Sequence, residues 1–225
     1  VDQMAMSDTQ RTNLVIIFGG QSAEHDVSCS TAAHVMKAVD VRRYTVTALG
    51  IDVHGQWHLA ESAMAALDRG SDAVPDRLQA SGPVVAASLA LSTATASANS
   101  VVMPLLHGPM GEDGTIQGML ELLDVAYVGA GVLGSSIGMD KSLSKDVLAR
   151  HGIAQPRYHA LRESEINPET LRDIVNELGL PLFVKPANMG SSVGVSKAHT
   201  VDEVIAATEQ ALTYDEWIVF EEAIT

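Results

Sequence analysis

LFVKPANMGSSVGVSK, residues 182–197, carries one lysine on an apolar strand and stops that strand at a proline. A glycine- and serine-rich loop follows, and then a second β-like run ending in another lysine. Glycine, serine and lysine together suggest phosphate. The order is not the GxxxxGK[ST] of a P-loop, because Lys185 precedes the glycines. A glycine loop between two antiparallel strands has the geometry of a lid. Backbone N–H groups of Gly190, Ser191 and Ser192 can wrap phosphate oxygens as an anion nest. Lys185 would then reach in from the strand floor as a point charge, and Lys141 could reach the same phosphates from elsewhere. An ordinary hairpin with a solvated lysine is the competing reading of these residues.

Upstream, strand-like and helix-like segments alternate. LVIIFGG (14–20) is a buried strand entering a glycine turn, SCSTAAHVMKAVD (28–40) has apolar residues at helical spacing, and YTVTALGI (44–51) is strand again. GQWHLAE (55–61) reads as an edge strand. Residues 62–99 give the weakest signal: a short helix, a loop and one strand-length piece, VVAASLAL (84–91). SVVMPLLHG (100–108) is a strand, TIQGMLELLD (115–124) a helix and VAYVG (125–129) a short strand. This alternation predicts a parallel sheet flanked by helices.

After Gly129 the pattern changes. Residues 134–152 contain a helix bearing Lys141 and Lys145 and ended by Gly152. NPETLRDIVNELG (167–179) has an Asn cap, a first-turn proline and a terminal glycine, and TVDE (200–203) is a capping box. EWIVFEEAI (216–224) is a last strand with no evident partner downstream. The residues after 152 do not read as a comfortable independent domain.

Bulk properties exclude several functions. With 14 basic and 28 acidic residues the formal net charge is −14, so no basic footprint for nucleic acid is present. The one uncharged stretch near 78–111 is broken by STATASANS (92–100) and predicts no membrane span. The single cysteine, Cys29, permits no intrachain disulfide and reads as a small buried residue, in keeping with a reducing cytosol. VDQMAMSDTQ (1–10) lacks the layout of a secretory signal and is expected to be a tail or an expression remnant.

Three further motifs bear on chemistry. GAGVLG (129–134) matches GxGxxG, but the region where a ribose-binding acid belongs reads LARHG, which favours a tight turn over a dinucleotide site. FGGQSAEHDVS (18–28) sets glycines, Ser22 and Glu24 at a strand's carboxyl end, where open α/β sheets collect ligands. Glu24 either holds a substrate ammonium or, with Ser28, caps the following helix. LLHGPMGEDG (105–114) repeats the pattern with His107, Glu112 and Asp113. Its spacing fits no standard metal set, and a substrate-facing loop with His107 beside a carboxylate is expected, Asp113 capping the helix at Thr115.

Together FGGQSAEHDVS, the block 105–141, VKPANMGSSVGVSK (184–197) and IVFEEAI (218–224) resemble, in order and spacing, the D-alanine–D-alanine ligase family of the ATP-grasp superfamily. The resemblance covers roughly residues 12–224. It implies an α/β chain: a tail at 1–11, a Rossmann-like open parallel sheet domain at 12–130 that handles substrate, and a central ATP-grasp lobe with the phosphate lid at 131–220. Residues 221–225 would begin a C-terminal lobe that this sequence does not contain.

The implied reaction is ATP-dependent ligation of two D-alanines through an acyl phosphate, for cell-wall peptidoglycan, in a cytoplasmic homodimer. By the same resemblance Glu24 orients the first D-alanine's amino group, His107 lies near substrate carboxylate and Glu112 supports it. Lys141 and Lys185 contact phosphates, Ser191 links Glu24 to the second substrate, and Gly190 and Ser192 belong to the lid. Glu221, Glu222, Ala223 and Ile224 meet the adenine edge, mostly through backbone groups. The ligands for Mg²⁺ or Mn²⁺ are expected beyond Thr225, so the 225 residues alone are expected to be inactive. The alternatives are another ATP-grasp carboxylate–amine or carboxylate–hydroxyl ligase, or a non-catalytic nucleotide-binding module.

Overall fold

The computed structural model describes residues 11–224. The first strand, β1 (Thr12–Gly19), is apolar on both sides, and its side chains alternate between two cores. Leu14, Ile16 and Phe18 enter one, Val15 and Ile17 the other. A strand buried on both faces needs a layer on each, and helices supply them. α1 (His25–Ala38) follows β1, then come β2 (Tyr44–Ile51), β3 (Trp57–Leu59), α2 (Glu61–Asp68), β4 (Val84–Val85), α3 (Ala87–Ala94), β5 (Ser100–Pro104) and α4 (Thr115–Leu122). Met36 of α1 and Leu67 of α2 pack with Phe18, whereas Leu91 of α3 and Leu120 of α4 pack with Ile17. The sheet order is β4-β3-β2-β1-β5, with β2, β1 and β5 parallel and the β2–β3 and β3–β4 pairs antiparallel.

Several expectations are corrected here. α1 starts at His25, one turn before Ser28. β3 is not an edge, because Val84–Val85 pair outside it. Of the expected strand 84–91 only these two residues are extended. Ala87–Ala94 is helix, with Ala90 and Leu91 turned into the core. Alanine and leucine favour a helix once one face can be buried. β5 ends at Pro104, and 125–129 contributes one parallel bridge, Val102 to Tyr127, instead of a strand.

The chain divides into two compact units between Ser135 and Ser136. α5 (Val132–Met139) crosses that point, and α6 (Lys141–Arg150) starts afresh where the Asp140 carboxylate accepts from Leu143 N–H at 2.9 Å. The helix expected within 134–152, bearing Lys141 and Lys145, is α6, and the capping Asp separates it from α5. The second unit is built on β6 (Tyr158–Arg162), β7 (Leu182–Pro186), β8 (Ser196–Ala198) and β9 (Trp217–Glu222). They form an antiparallel sheet in the order β6-β9-β7-β8. α7 (Pro168–Leu178) and α8 (Val201–Leu212) bury Leu171, Ile174 and Val204 against Leu182, Val184 and Phe220. The final strand therefore has two partners, both upstream, and the residues after 152 close a core of their own.

Candidate active site

In the first unit, polar groups gather at the carboxyl ends of β1 and β2. Gly19 and Gly20 sit at φ 88° and 100°, and a Cβ at Gly19 would lie 2.1 Å from the Ile51 carbonyl oxygen. Only glycine fits that turn. They line a cavity of roughly 200 Å³ together with Trp57, Leu106, His107 and Met119.

The buried Ser28 hydroxyl accepts from Gly19 N–H at 2.7 Å and donates to Leu105 O at 2.6 Å, tying the end of β1 to the chain leaving β5. Ser28 is a strap and caps nothing, which corrects one reading of this motif. Glu24 occupies the cap position of α1 but makes no side-chain capping bond. Its Oε2 lies beside Gly108, where an added Cβ would meet it at 2.9 Å. The two sequence-predicted loops are therefore neighbours.

His107 Nε2 is 3.2 Å from Thr31 Oγ, whose own proton goes to Val27 O at 3.0 Å. The ring therefore donates from Nε2, and Nδ1 is its other available nitrogen. Ser22 Oγ donates to His107 O at 2.7 Å. Glu112 accepts from Gly108 N–H at 2.7 Å and so staples the loop that carries His107. Asp113 accepts from Met110 N–H and Thr115 N–H at 2.7 and 2.9 Å. Burial pushes its carboxyl up, but these bonds prevail and hold it below its ordinary value. The cap position itself belongs to Gly114 at φ 95°, so Asp113 serves the helix from one residue further out.

In the second unit, Lys141 N–H and Nζ both meet the carbonyl of Ala187, at 3.0 and 3.4 Å, and Nζ donates to Met189 O at 2.5 Å. The ammonium thus holds the root of the glycine–serine loop. Burial and the charge of Lys185 lower the Lys141 pKa, so two of the predicted phosphate lysines are close enough to repel. Asn188 anchors the loop again through N–H and Nδ2 to Asp215 Oδ2 at 2.6 and 3.0 Å.

Beyond that root, Ser191 and Ser192 are both left-handed, at φ 44° and 59°. Such φ values are uncommon outside glycine and store strain at ligand-binding turns. Ser191–Val195 stay outside β8, leaving the loop longer than the sequence indicated. Gly194 closes it at φ 71° against Tyr214 and Pro186.

Lys185 rises from β7 to Glu221 Oε1 at 2.6 Å. The other oxygen, Oε2, takes Lys145 at 2.6 Å. Burial opposes ionisation of Glu221, yet the hydrogen bonds from Lys145 and Lys185 lower its pKa. Glu222 is committed elsewhere, accepting from Arg157 N–H and Nε at 2.8 and 2.7 Å. Ala223 N–H goes to Pro181 O at 3.3 Å, and Ile224 is exposed. Lys145 escaped the sequence reading as a site residue. Its i, i+4 spacing from Lys141 on one helix was the available signal. Among the described residues no group of three or more His, Cys, Asp and Glu is placed to hold a metal ion, so these residues do not fit the metal the fold implies.

A doubly wound sheet with a ligand-sized cleft, followed by a lysine-floored antiparallel sheet under a glycine–serine loop, defines an ATP-grasp protein. Residues 13–130 match the family model described as D-ala D-ala ligase N-terminus, and residues 147–225 match the one described as D-ala D-ala ligase C-terminus. The chain belongs to the D-alanine–D-alanine ligase family. It is 43% identical over 230 residues to the D-alanine–D-alanine ligase of Paenarthrobacter aurescens, an alignment covering 96% of this chain and 61% of that one. Against the Mycobacterium avium enzyme the identity is 42%, over 97% of this chain and 62% of the relative. The chain thus spans less than two thirds of these relatives. In structure it is similar to the D-alanine–D-alanine ligase of Coxiella burnetii, with TM-score 0.81, 29% identity and coverage of 96% and 64%. A D-Ala:D-Ser ligase from Enterococcus faecalis gives 0.74, 27% identity and the same coverage.

Proposed function

We propose that the protein carrying this chain joins two D-alanines to D-alanyl-D-alanine at the expense of ATP. The convergence of Lys141, Lys185 and the strained Ser191–Ser192 turn carries this reading most directly. In it, residues 12–130 handle the amino acid and the lobe from 131 on grips the nucleotide, with Glu221 and Glu222 inside it as the end of β9 and not the start of a further lobe. Glu24 pairs with the first D-alanine's ammonium, and His107, whose Nε2 is taken by Thr31, meets its carboxylate from Nδ1 as the doubly protonated ring, Glu112 keeping the loop shaped. The two lysines and the N–H groups of Gly190, Ser191 and Ser192 neutralise the phosphates. Backbone groups of Glu221–Ile224 meet the adenine, the Ala223 carbonyl and Ile224 N–H being better placed than the engaged N–H of Ala223.

The carboxylate oxygen attacks the γ-phosphorus and ADP leaves. The second D-alanine's amine then attacks the acyl carbon, and phosphate leaves with the C–O bonding pair. Ser191 assists that second substrate. A closed lid keeps water from the acyl phosphate. Mg²⁺ or Mn²⁺ accompanies ATP in this family. A cytoplasmic homodimer is the working form we infer.

The test is ADP release by the full-length gene product. It should depend on D-alanine, and Glu24→Gln should raise the KM for D-alanine by about tenfold or more. A second reading, favoured by the likeness to the D-Ala:D-Ser ligase, is that the second substrate differs. ADP release that needs D-alanine together with a different amino acid, such as D-serine, would establish that alternative.

A further inference from the structure

Lys145 has no part in the reaction as proposed, yet it shares one carboxylate with Lys185. Lys145 Nζ is 2.6 Å from Glu221 Oε2 and Lys185 Nζ is 2.6 Å from Oε1. The side chains of Lys145 and Glu221 are 12% and 13% exposed, and that of Lys185 is 20% exposed. Beyond that carboxylate the two lysines are held differently. Lys145 also stands 4.8 Å over the Tyr158 ring and 3.5 Å from Gln155 Oε1, while Gln155 Nε2 donates to its carbonyl at 2.7 Å. Tyr158 is fixed in turn by donating to Asp146 at 2.7 Å. For Lys185, Glu221 is the one salt-bridge partner among the described residues, and its other contact is the Phe183 ring at 5.4 Å.

We infer that Lys145 is a positioning residue of the nucleotide site: it stays on Glu221 while Lys185 exchanges that carboxylate for a nucleotide phosphate. The inference rests on the reading that Lys185 meets phosphate. A carboxylate this buried is costly to leave without a cation, so Lys185 can depart only if another remains. Lys145 is that cation. Without it Glu221 has Lys185 alone, and the carboxylate competes with phosphate for the same ammonium. Lys141 and Asp146 from α6, Asp140 capping that helix, Asp215 ahead of β9 and Tyr158 from β6 are other ionisable groups facing this cluster.

The experiment titrates a fluorescent ATP analogue into the full-length gene product and its variants at about pH 6 and about pH 8. Lys145→Met should weaken nucleotide binding about tenfold at the higher pH, the scale of leaving a buried acceptor unsatisfied. The penalty should shrink at the lower pH, because Glu221, left buried without a cation once Lys185 moves to phosphate, then takes up a proton more readily. KM for ATP should rise while kcat at saturating ATP stays within about twofold. Lys145→Arg should bind at near-native affinity, and adding Glu221→Gln to Lys145→Met should recover most of the loss. Where the Met variant does not fold, Lys145→Gln carries the same comparison with a smaller effect.

Native affinity in Lys145→Met, alongside weak binding in Lys185→Ala, would overturn this inference and leave the nucleotide reading standing. A loss independent of pH and unrelieved by Glu221→Gln would mark Lys145 as merely structural. Native affinity in Lys185→Ala would overturn both.

Discussion

Lys185 and Lys197 share the ring of Phe183, at 5.4 and 5.6 Å, but not an environment. Lys197 lies on the exposed side of β8, whereas Lys185 is half-buried between Glu221 and Lys141. An ammonium desolvated beside another cation gains more from an incoming phosphate than one already in water. Lys185→Ala should therefore weaken nucleotide binding about tenfold or more, and Lys197→Ala less than about twofold. Equal losses in calorimetric titration would remove the floor-lysine role. Cys29 behaves oppositely. Burial and the neighbouring Asp26 push its thiol up to about 11. At pH 8 it is protonated and enclosed, so a thiol reagent should label it only after denaturant is added. Reactivity in the native protein should rise only as the pH approaches that value. Labelling in native buffer at pH 8 within minutes would contradict the burial seen here.

At the scale of elements, Ser28 shows how α1 is tied to the sheet. Its hydroxyl serves a buried N–H at the end of β1 and a part-buried carbonyl just past β5, the same ends that present Gly19, Gly20 and the His107 loop. Ser28→Ala orphans both and should cost about 2 kcal/mol or more. Ser92→Ala, on the exposed side of α3, should cost about 0.5 kcal/mol or less. Denaturant midpoints decide between these, and an indistinguishable pair would show the strap to be dispensable.

Ser28 also marks where sequence reasoning falls short. A serine ahead of an apolar helical run reads as a cap, and only the extra turn from His25 reveals it as internal. The strand-end glycines, the HGPMGEDG loop and the glycine–serine loop of VKPANMGSS were legible because turn chemistry is local. β6, YHALR, was missed because it is half-polar and half-buried up to the exposed Arg162. The central place of β9 was hidden for another reason: antiparallel partners far upstream leave no local trace. The Lys145–Glu221 pair was invisible on the same ground, as it joins a helix to a strand across the whole lobe.

At the scale of the molecule, separate cores set the expected cooperativity. Two apolar clusters flank the β1-centred sheet, and a third, built on Leu182, Val184, Ile218 and Phe220, belongs to the second unit. Each cluster draws its residues from one side of the Ser135–Ser136 division only. Chains with more than one core depart from two-state unfolding when little couples them. Phe220 is fully buried in β9, between β6 and β7, so truncating it empties the centre of the second core. Phe220→Ala should cost about 3–5 kcal/mol. The loss should appear as faster amide exchange in β6, β7, β9 and α8, while β1, β2 and β5 keep native protection. Hydrogen exchange read by mass spectrometry separates the outcomes. Deprotection confined to the second unit shows a unit that opens on its own. Uniform deprotection would instead make the chain one cooperative body, and any opening over the proposed nucleotide site would then have to be confined to the 187–195 loop.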